Sequence, residues 1–259
     1  MYKLRRKLFS QNFLHSRKLI SKLIRNSSIG KNDFFLEIGP GEGGITRQLI
    51  QQAQYVLAVE IDLHWYNYLQ EKFNDADNLS LCHADILNFK LPTIPYKVFS
   101  NIPFSIEGKI IRLLIDAQNP PEDCYLVVMK ELAYRLSAPY RENLFSITHK
   151  PWFDFSITYH FERTDFTPIP NVDAVLFRFV KRNDPLIPWN ERKNYQKFIT
   201  IGFGQGLPII QNLKKYFGKT VALDLISTSR ISKKTKPSEL SLQQWISLYQ
   251  RLRTTISNP

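Results

Sequence analysis

The hydrophobic positions of this chain fall into two periods. Continuous apolar runs of about five residues alternate with stretches whose apolar residues recur every three or four positions, from Asp33 to about residue 182. The runs predict strands near 33–38, 55–60, 79–84, 96–100, 124–130, 153–160 and 173–181. The first of these, such as Tyr55–Val59, carry no polar alternation, the pattern of strands buried on both faces of a parallel sheet. Helical periodicity predicts helices near 43–53, 64–73 and 105–117 between the first strands, and an earlier helix whose face is Leu19, Ile20, Leu23 and Ile24. Strand-helix alternation of this kind predicts a doubly wound α/β sheet.

Beyond Asn183-Asp184-Pro185-Leu186-Ile187-Pro188, read as a linker, the strand pattern stops. Helices are expected near 190–203, 208–217, 219–227 and 241–253, the last opened by a capping box of Ser241 and Gln244. The expected division is therefore a domain at 1–183, including a basic N-terminal tail, and a small helical domain at 184–259.

In a doubly wound sheet, ligands bind beyond the carboxyl ends of the strands. Four strand ends are polar: Glu37-Ile38-Gly39, Glu60, His83-Ala84-Asp85-Ile86 and Asn101-Ile102-Pro103-Phe104. The first leads into Gly39-Pro40-Gly41-Glu42-Gly43-Gly44, where glycines permit positive φ and close approach of a ligand. This turn fits both the G-x-G-x-x-G dinucleotide pattern and the E-x-G-x-G-x-G pattern of S-adenosylmethionine (SAM) methyltransferases. Glu60, about twenty residues on, is placed to grip a ribose in either case. The turn and Glu60 imply an adenosine-type cofactor without choosing between the two.

Charge narrows the partner. Residues 1–31 hold nine Lys/Arg and no Asp/Glu, residues 184–259 twelve against four, and the middle fourteen against nineteen, so +9, +8 and −5 make the net +12. Positive ends flanking an acidic middle suit a polyanion. Cys82 and Cys124 lie in apolar runs and read as reduced core residues; no Cys/His spacing suggests a metal. No signal-peptide core or membrane-length apolar run is present, so a cytoplasmic protein is expected.

The motifs in their order resemble the ribosomal RNA adenine-N6 dimethyltransferases, which include the Erm resistance methylases and the enzymes that dimethylate small-subunit RNA. Gln11-Asn12-Phe13-Leu14, Glu37-Ile38-Gly39-Pro40-Gly41-Glu42-Gly43, Glu60, Asp85-Ile86, Asn101-Ile102-Pro103-Phe104 and Phe166-x-Pro168-x-Pro170-x-Val172 carry the resemblance, which spans residues 8–182. Asp173 departs from the usual Ser. The resemblance implies a Rossmann-like SAM methyltransferase sheet. It implies a SAM site built from Asn12, Leu14, Gly39, Gly41, Glu60, Ile61, Asp85, Ile86 and Asn101, with no metal.

The target amine must pyramidalise before it can attack a methyl group. The Asn101 side-chain carbonyl and the Ile102 backbone carbonyl are expected to accept its N–H groups, while Phe104 stacks on the extruded base. Ser10 and the Asn-Ile-Pro-Phe variant lean towards 23S ribosomal RNA as the target, with macrolide, lincosamide and streptogramin B resistance as the consequence. Small-subunit 16S RNA is the alternative substrate, and a non-catalytic nucleic-acid-binding factor is the reading from another class. Residues 1–183 are expected to bind SAM and carry catalysis, the helical domain at 184–259, with its basic loop Arg230-Ile-Ser-Lys233-Lys234-Thr-Lys236, is expected to hold RNA phosphates, and the protein is expected to act as a monomer.

Overall fold

A computed structural model describes residues 12–204, 206–229 and 231–257. Ser10, Gln11 and the basic tail therefore lie outside the described residues, as does Arg230. The strands are β1 (Phe13–Leu14), β2 (Phe34–Ile38), β3 (Tyr55–Glu60), β4 (Leu79–His83), β5 (Lys97–Asn101), β6 (Asp123–Met129), β7 (Phe153–His160), β8 (Phe166–Thr167) and β9 (Ala174–Lys181). The seven strands expected from the apolar runs are all present, within a residue or two at each end. Helices Gly44–Gln52, Leu63–Lys72 and Glu107–Ile115 fall between the early strands, and Arg17–Arg25 precedes them.

These strands form one seven-stranded sheet in the order β4-β3-β2-β5-β6-β9-β7. β4, β3, β2, β5 and β6 are mutually parallel, and β9 runs antiparallel to β6. Parallel pairing requires strands covered on both faces. Phe35, Leu36, Val56, Ala58, Val98 and Phe99 are all fully buried, which is why their runs show no polar alternation. The strand order reverses between β2 and β5, the topological switch point at which such sheets bind ligands.

Register brings the polar strand ends level with one another. Ile38 pairs with Val59, Glu60 with His83 and Asn101 with Val127. Beyond the strands, the Gly39 amide donates to the Val59 carbonyl at 2.9 Å and the Ala84 amide to the Glu60 carbonyl at 2.9 Å. The Ile38 amide donates to Ser100 Oγ at 2.8 Å, tying β2 to β5 beside the turn. A second, two-stranded sheet pairs β1 antiparallel with β8, joining Phe13 to Thr167 and Leu14 to Phe166. Two-residue strands carry no readable period, so this pairing was not visible in the sequence.

The chain separates into two compact units: residues up to Ala133 with Phe155–Lys181, and Tyr134–Asp154 with Arg182 onward. The second unit thus takes Tyr134–Asp154 out of the span 1–183 assigned above to one domain. The reason is local packing. Trp152 is fully buried in the helical unit, 5.5 Å from the Tyr195 ring, and the Tyr195 hydroxyl donates to the Ile147 carbonyl at 3.3 Å.

Helices Leu144–His149, Arg192–Phe203, Ile209–Thr228 and Leu242–Ser257 build that unit around Phe198, Leu213, Leu225 and Trp245. Gly202 lets the Trp245 ring sit where a Cβ would be, 2.4 Å from the nearest ring atom. The capping box forms as read: the Gln244 amide donates to Ser241 Oγ at 3.3 Å and the Ser241 amide to Gln244 Oε1 at 2.9 Å. The two helices expected at 208–217 and 219–227 are the halves of Ile209–Thr228, interrupted at Gly218 (φ 81°, ψ 167°).

Candidate active site

A cleft of about 570 Å³ opens at the carboxyl ends of β2, β3, β4 and β5, within the size range of small-molecule and cofactor sites. Asn12, Leu14, Gly39, Glu60, Ile61, Asp85, Ile86, Asn101 and Ile102 all line it. Two expected site residues do not. Gly41 lies behind the wall: a Cβ there would meet the Phe13 ring at 2.4 Å, and its φ of 52° is left-handed. Its work is to admit Phe13 and to aim its amide at Glu60. Phe104 sits on the short 3₁₀ turn Phe104–Ile106, half-buried against the main core cluster.

Gly39, Gly43 and Gly44 line the cleft. Gly39 adopts φ 64°, and a Cβ built on it would meet nothing within 4 Å, so the space in front of its backbone is open to a ligand. Gly43, also left-handed at φ 74°, precedes the helix Gly44–Gln52 and packs against Leu69 and Phe73. Lys72 closes the turn from outside by donating to the Glu42 carbonyl.

Glu60 is 1% exposed, with both carboxylate oxygens held by backbone amides. Oε2 accepts from Gly41 at 3.0 Å and Oε1 from Asp62 at 2.9 Å. Each oxygen keeps acceptor capacity towards the cleft. Burial raises the Glu60 pKa, and the two amides oppose that shift. Glu37, equally buried, is pushed up to about 8, first by burial and further by the charge of Glu60. Its Oε2 is buried without a hydrogen-bond partner while the residue lines the cleft. An acceptor of this kind fits the ammonium of an amino-acid moiety.

Asp85 accepts from the Leu87 amide at 2.9 Å and from Asn88 Nδ2 at 3.1 Å. This cap fixes its carboxylate at the end of β4, flanked by buried Ile86 and half-exposed Ile61. Acceptors at Glu60, apolar walls at Ile61 and Ile86, an acid at Asp85 and an orphaned carboxyl oxygen at Glu37 are the kinds of group S-adenosylmethionine calls for. Among the described residues no group of His, Cys, Asp and Glu side chains is placed to hold a metal ion.

At the end of β5, Asn101 Nδ2 donates to the Asn12 carbonyl at 2.6 Å. That bond fixes the amide and leaves Oδ1 as the side chain's acceptor. The β1–β8 ladder holds Asn12 in place, helped by the His15 amide donating to the Asp165 carbonyl at 3.3 Å and by Phe13 edge-on to Trp65 at 5.5 Å. The proline motif at 166–170 therefore reaches the site through β1. Arg17, Arg47, Tyr68 and Lys72 also line the cleft, and the sequence reading did not single them out. Cationic side chains at a strand-end cleft in a basic chain were the available signal. Asp173, the departure from the motif, accepts from Arg163 Nε at 2.8 Å, so its charge is paired.

Comparison with known proteins agrees with this geometry. A family model described as Ribosomal RNA adenine dimethylase matches residues 2–254. The "Ribosomal RNA small subunit methyltransferase A" of Lactococcus lactis is 30% identical, over 94% of this chain and 88% of its own length. The protein of the same name from Streptococcus gordonii is 32% identical, over 83% of this chain and 79% of its own. Among solved structures, the 23S rRNA methyltransferase ErmE superposes with a TM-score of 0.81 at 26% identity, covering 93% of this chain and 100% of that one. A dimethyladenosine transferase from Plasmodium falciparum, at 19% identity and TM-score 0.80, shares the fold over 93% of this chain and 98% of its own. With the SAM-shaped cleft and the asparagine at the end of β5, these matches place the chain in the ribosomal RNA adenine dimethylase family, whose members are SAM-dependent methyltransferases.

Proposed function

We propose that the chain methylates N6 of an adenine in small-subunit ribosomal RNA. The observation that carries the choice of RNA is the naming of the 30–32% identical relatives, which are small-subunit enzymes. The 23S target to which Ser10 and Asn-Ile-Pro-Phe lean is the second reading. It is favoured by ErmE, which this chain covers from end to end, but at lower identity. Antibiotic resistance belongs to that second reading alone.

Bound SAM supplies a sulfonium-activated methyl group, and the protein's own contribution is position and polarity. Glu60 holds the ribose, Asp85 takes the adenine amino group of the cofactor, and Ile61 and Ile86 cover its ring. Asn101 Oδ1, oriented by the Asn12 carbonyl, accepts one N–H of the target amine, and the Ile102 carbonyl accepts the other. Both favour the pyramidal nitrogen over the planar one, so they act more strongly in the transition state than in the ground state. Pro103 holds this backbone extended, at φ −62° and ψ 124°. The exposed side of Phe104, outside the cofactor cleft, receives the face of the flipped base. No side chain needs to act as the base, because the methylated amine is acidic enough to lose its proton to water. Catalysis is positional and electrostatic.

Incubation with methyl-labelled SAM and purified 16S RNA, 23S RNA or small subunits, followed by mapping of the modified base, tests the reading. Label on a 16S adenine N6 is the expected result. Label confined to 23S RNA would replace it with the second reading, and label on neither would remove both.

A further inference from the structure

The helical unit distributes its charge unevenly. Five of its six carboxylates, all but exposed Asp184, are taken up by ion pairs: Glu142 with Lys150, Asp154 with Arg182, Glu191 with Arg253, Asp224 with Arg251 and Glu239 with Arg141. Among the described residues, Lys193, Lys197, Lys214, Lys215 and Lys219 enter no ion pair. From Arg192 to Leu223 the chain carries those five lysines and one arginine, and no acidic residue.

One helix turns part of this charge to solvent around an aromatic ring. In Ile209–Thr228, Ile210 and Leu213 are buried and Phe217 packs 6.4 Å from Phe198, so the inward stripe runs i, i+3, i+7. That periodicity puts Lys215 opposite the stripe and Lys214 and Tyr216 on its two flanks, and all three are exposed. Gly218 breaks the helix just after, and exposed Lys219 follows. Tyr216 is 62% exposed and makes no hydrogen bond among the described residues. A single exposed tyrosine is unremarkable. One that stands within three residues of three unpaired lysines combines an exposed ring with nearby positive charge along the chain, the chemistry that holds unpaired nucleotides.

We propose that Tyr216, Lys214, Lys215 and Lys219 form a platform for an unpaired nucleotide of the ribosomal RNA substrate, other than the adenine that is methylated. The base stacks on the ring and its flanking phosphates lie against the lysines. This inference rests on the ribosomal RNA reading above.

The test measures equilibrium binding of full-length 16S and 23S RNA over a range of salt, without SAM. The proteins are wild type, Tyr216→Ala, Tyr216→Phe and a triple Lys214→Ala, Lys215→Ala, Lys219→Ala variant. Melting temperature and SAM affinity should stay at wild-type values, since none of these side chains is buried. Tyr216→Ala should weaken RNA binding between about 5- and 150-fold, the loss of one stacked base. Tyr216→Phe should keep it, and the triple variant should flatten the salt slope. Wild-type RNA affinity in Tyr216→Ala would overturn the platform. So would equal losses in Tyr216→Ala and Tyr216→Phe, which would assign the hydroxyl rather than the face. Unchanged RNA affinity together with Tyr216-dependent binding of poly-glutamate would give the patch to an acidic protein. If the wild type methylates RNA while Tyr216→Ala is unimpaired, only the platform falls. If the wild type neither binds nor methylates ribosomal RNA, the functional reading falls with it.

Discussion

Replacing Glu60 by glutamine keeps the side chain's shape and removes its charge. In the native protein Oε2 accepts from Gly41 and Oε1 from Asp62. In the variant one oxygen becomes an NH₂ group, which must face one of those two backbone donors. A buried amide N–H is then left without an acceptor, at a cost of about 1–3 kcal/mol to the fold. The bound ribose separately loses a charge-assisted hydrogen bond, about 1.5–3 kcal/mol, or roughly 10- to 150-fold in SAM affinity. Titration calorimetry with SAM at neutral pH, beside thermal unfolding, separates the two effects. A folded Glu60→Gln protein with wild-type SAM affinity would remove Glu60 from the cofactor site. The wild type should also bind SAM less well as pH falls, and sooner than an ordinary glutamate would dictate, because burial has raised the Glu60 pKa.

Glu37 predicts a pH dependence of stability. Its folded pKa of about 8 lies above the ordinary 4.5, so between those values the folded state holds a proton that the unfolded state does not. Stability of the SAM-free protein should therefore fall as pH rises from about 4.5 to 8, by at most about 5 kcal/mol, and Glu37→Gln should flatten that fall in melting curves. Phe104→Ala should lower the melting temperature, because one side of the ring packs on the core cluster, and should also weaken RNA binding. Phe104→Tyr should preserve both, and an Ala variant that loses stability while binding RNA normally would leave Phe104 a core residue only. Replacing Lys233, Lys234 and Lys236 by alanine should flatten the salt dependence of RNA affinity with SAM affinity unchanged, as read by filter binding.

The centre of the sheet was legible because β2, β3, β5 and β6 are largely buried on both faces. Tyr55–Val59 and Cys124–Met129 have one chemical character throughout. The four polar strand ends were legible for the same reason, each lying where an apolar run gives way to polar residues. What the sequence hid is long-range. Nothing near Phe13 announces a partner at Thr167, and nothing near Gly41 says that its missing Cβ makes room for Phe13 rather than for a ligand. Tyr134–Asp154 read as a featureless stretch because its helices are short and its anchor, Trp152, is defined by Tyr195. The buried, unpartnered oxygen of Glu37 likewise depends on burial that only the fold creates.

In the proposed mechanism the Asn101 amide at the end of β5 drives methyl transfer to an adenine amine in ribosomal RNA. Single-turnover methylation by Asn101→Ala, with RNA and SAM both saturating and their affinities measured in parallel, tests it most directly. The rate constant should fall by far more than either affinity, because Asn101 Oδ1 acts on the pyramidal amine. A folded Asn101→Ala protein that transfers the methyl group at the wild-type rate would contradict it.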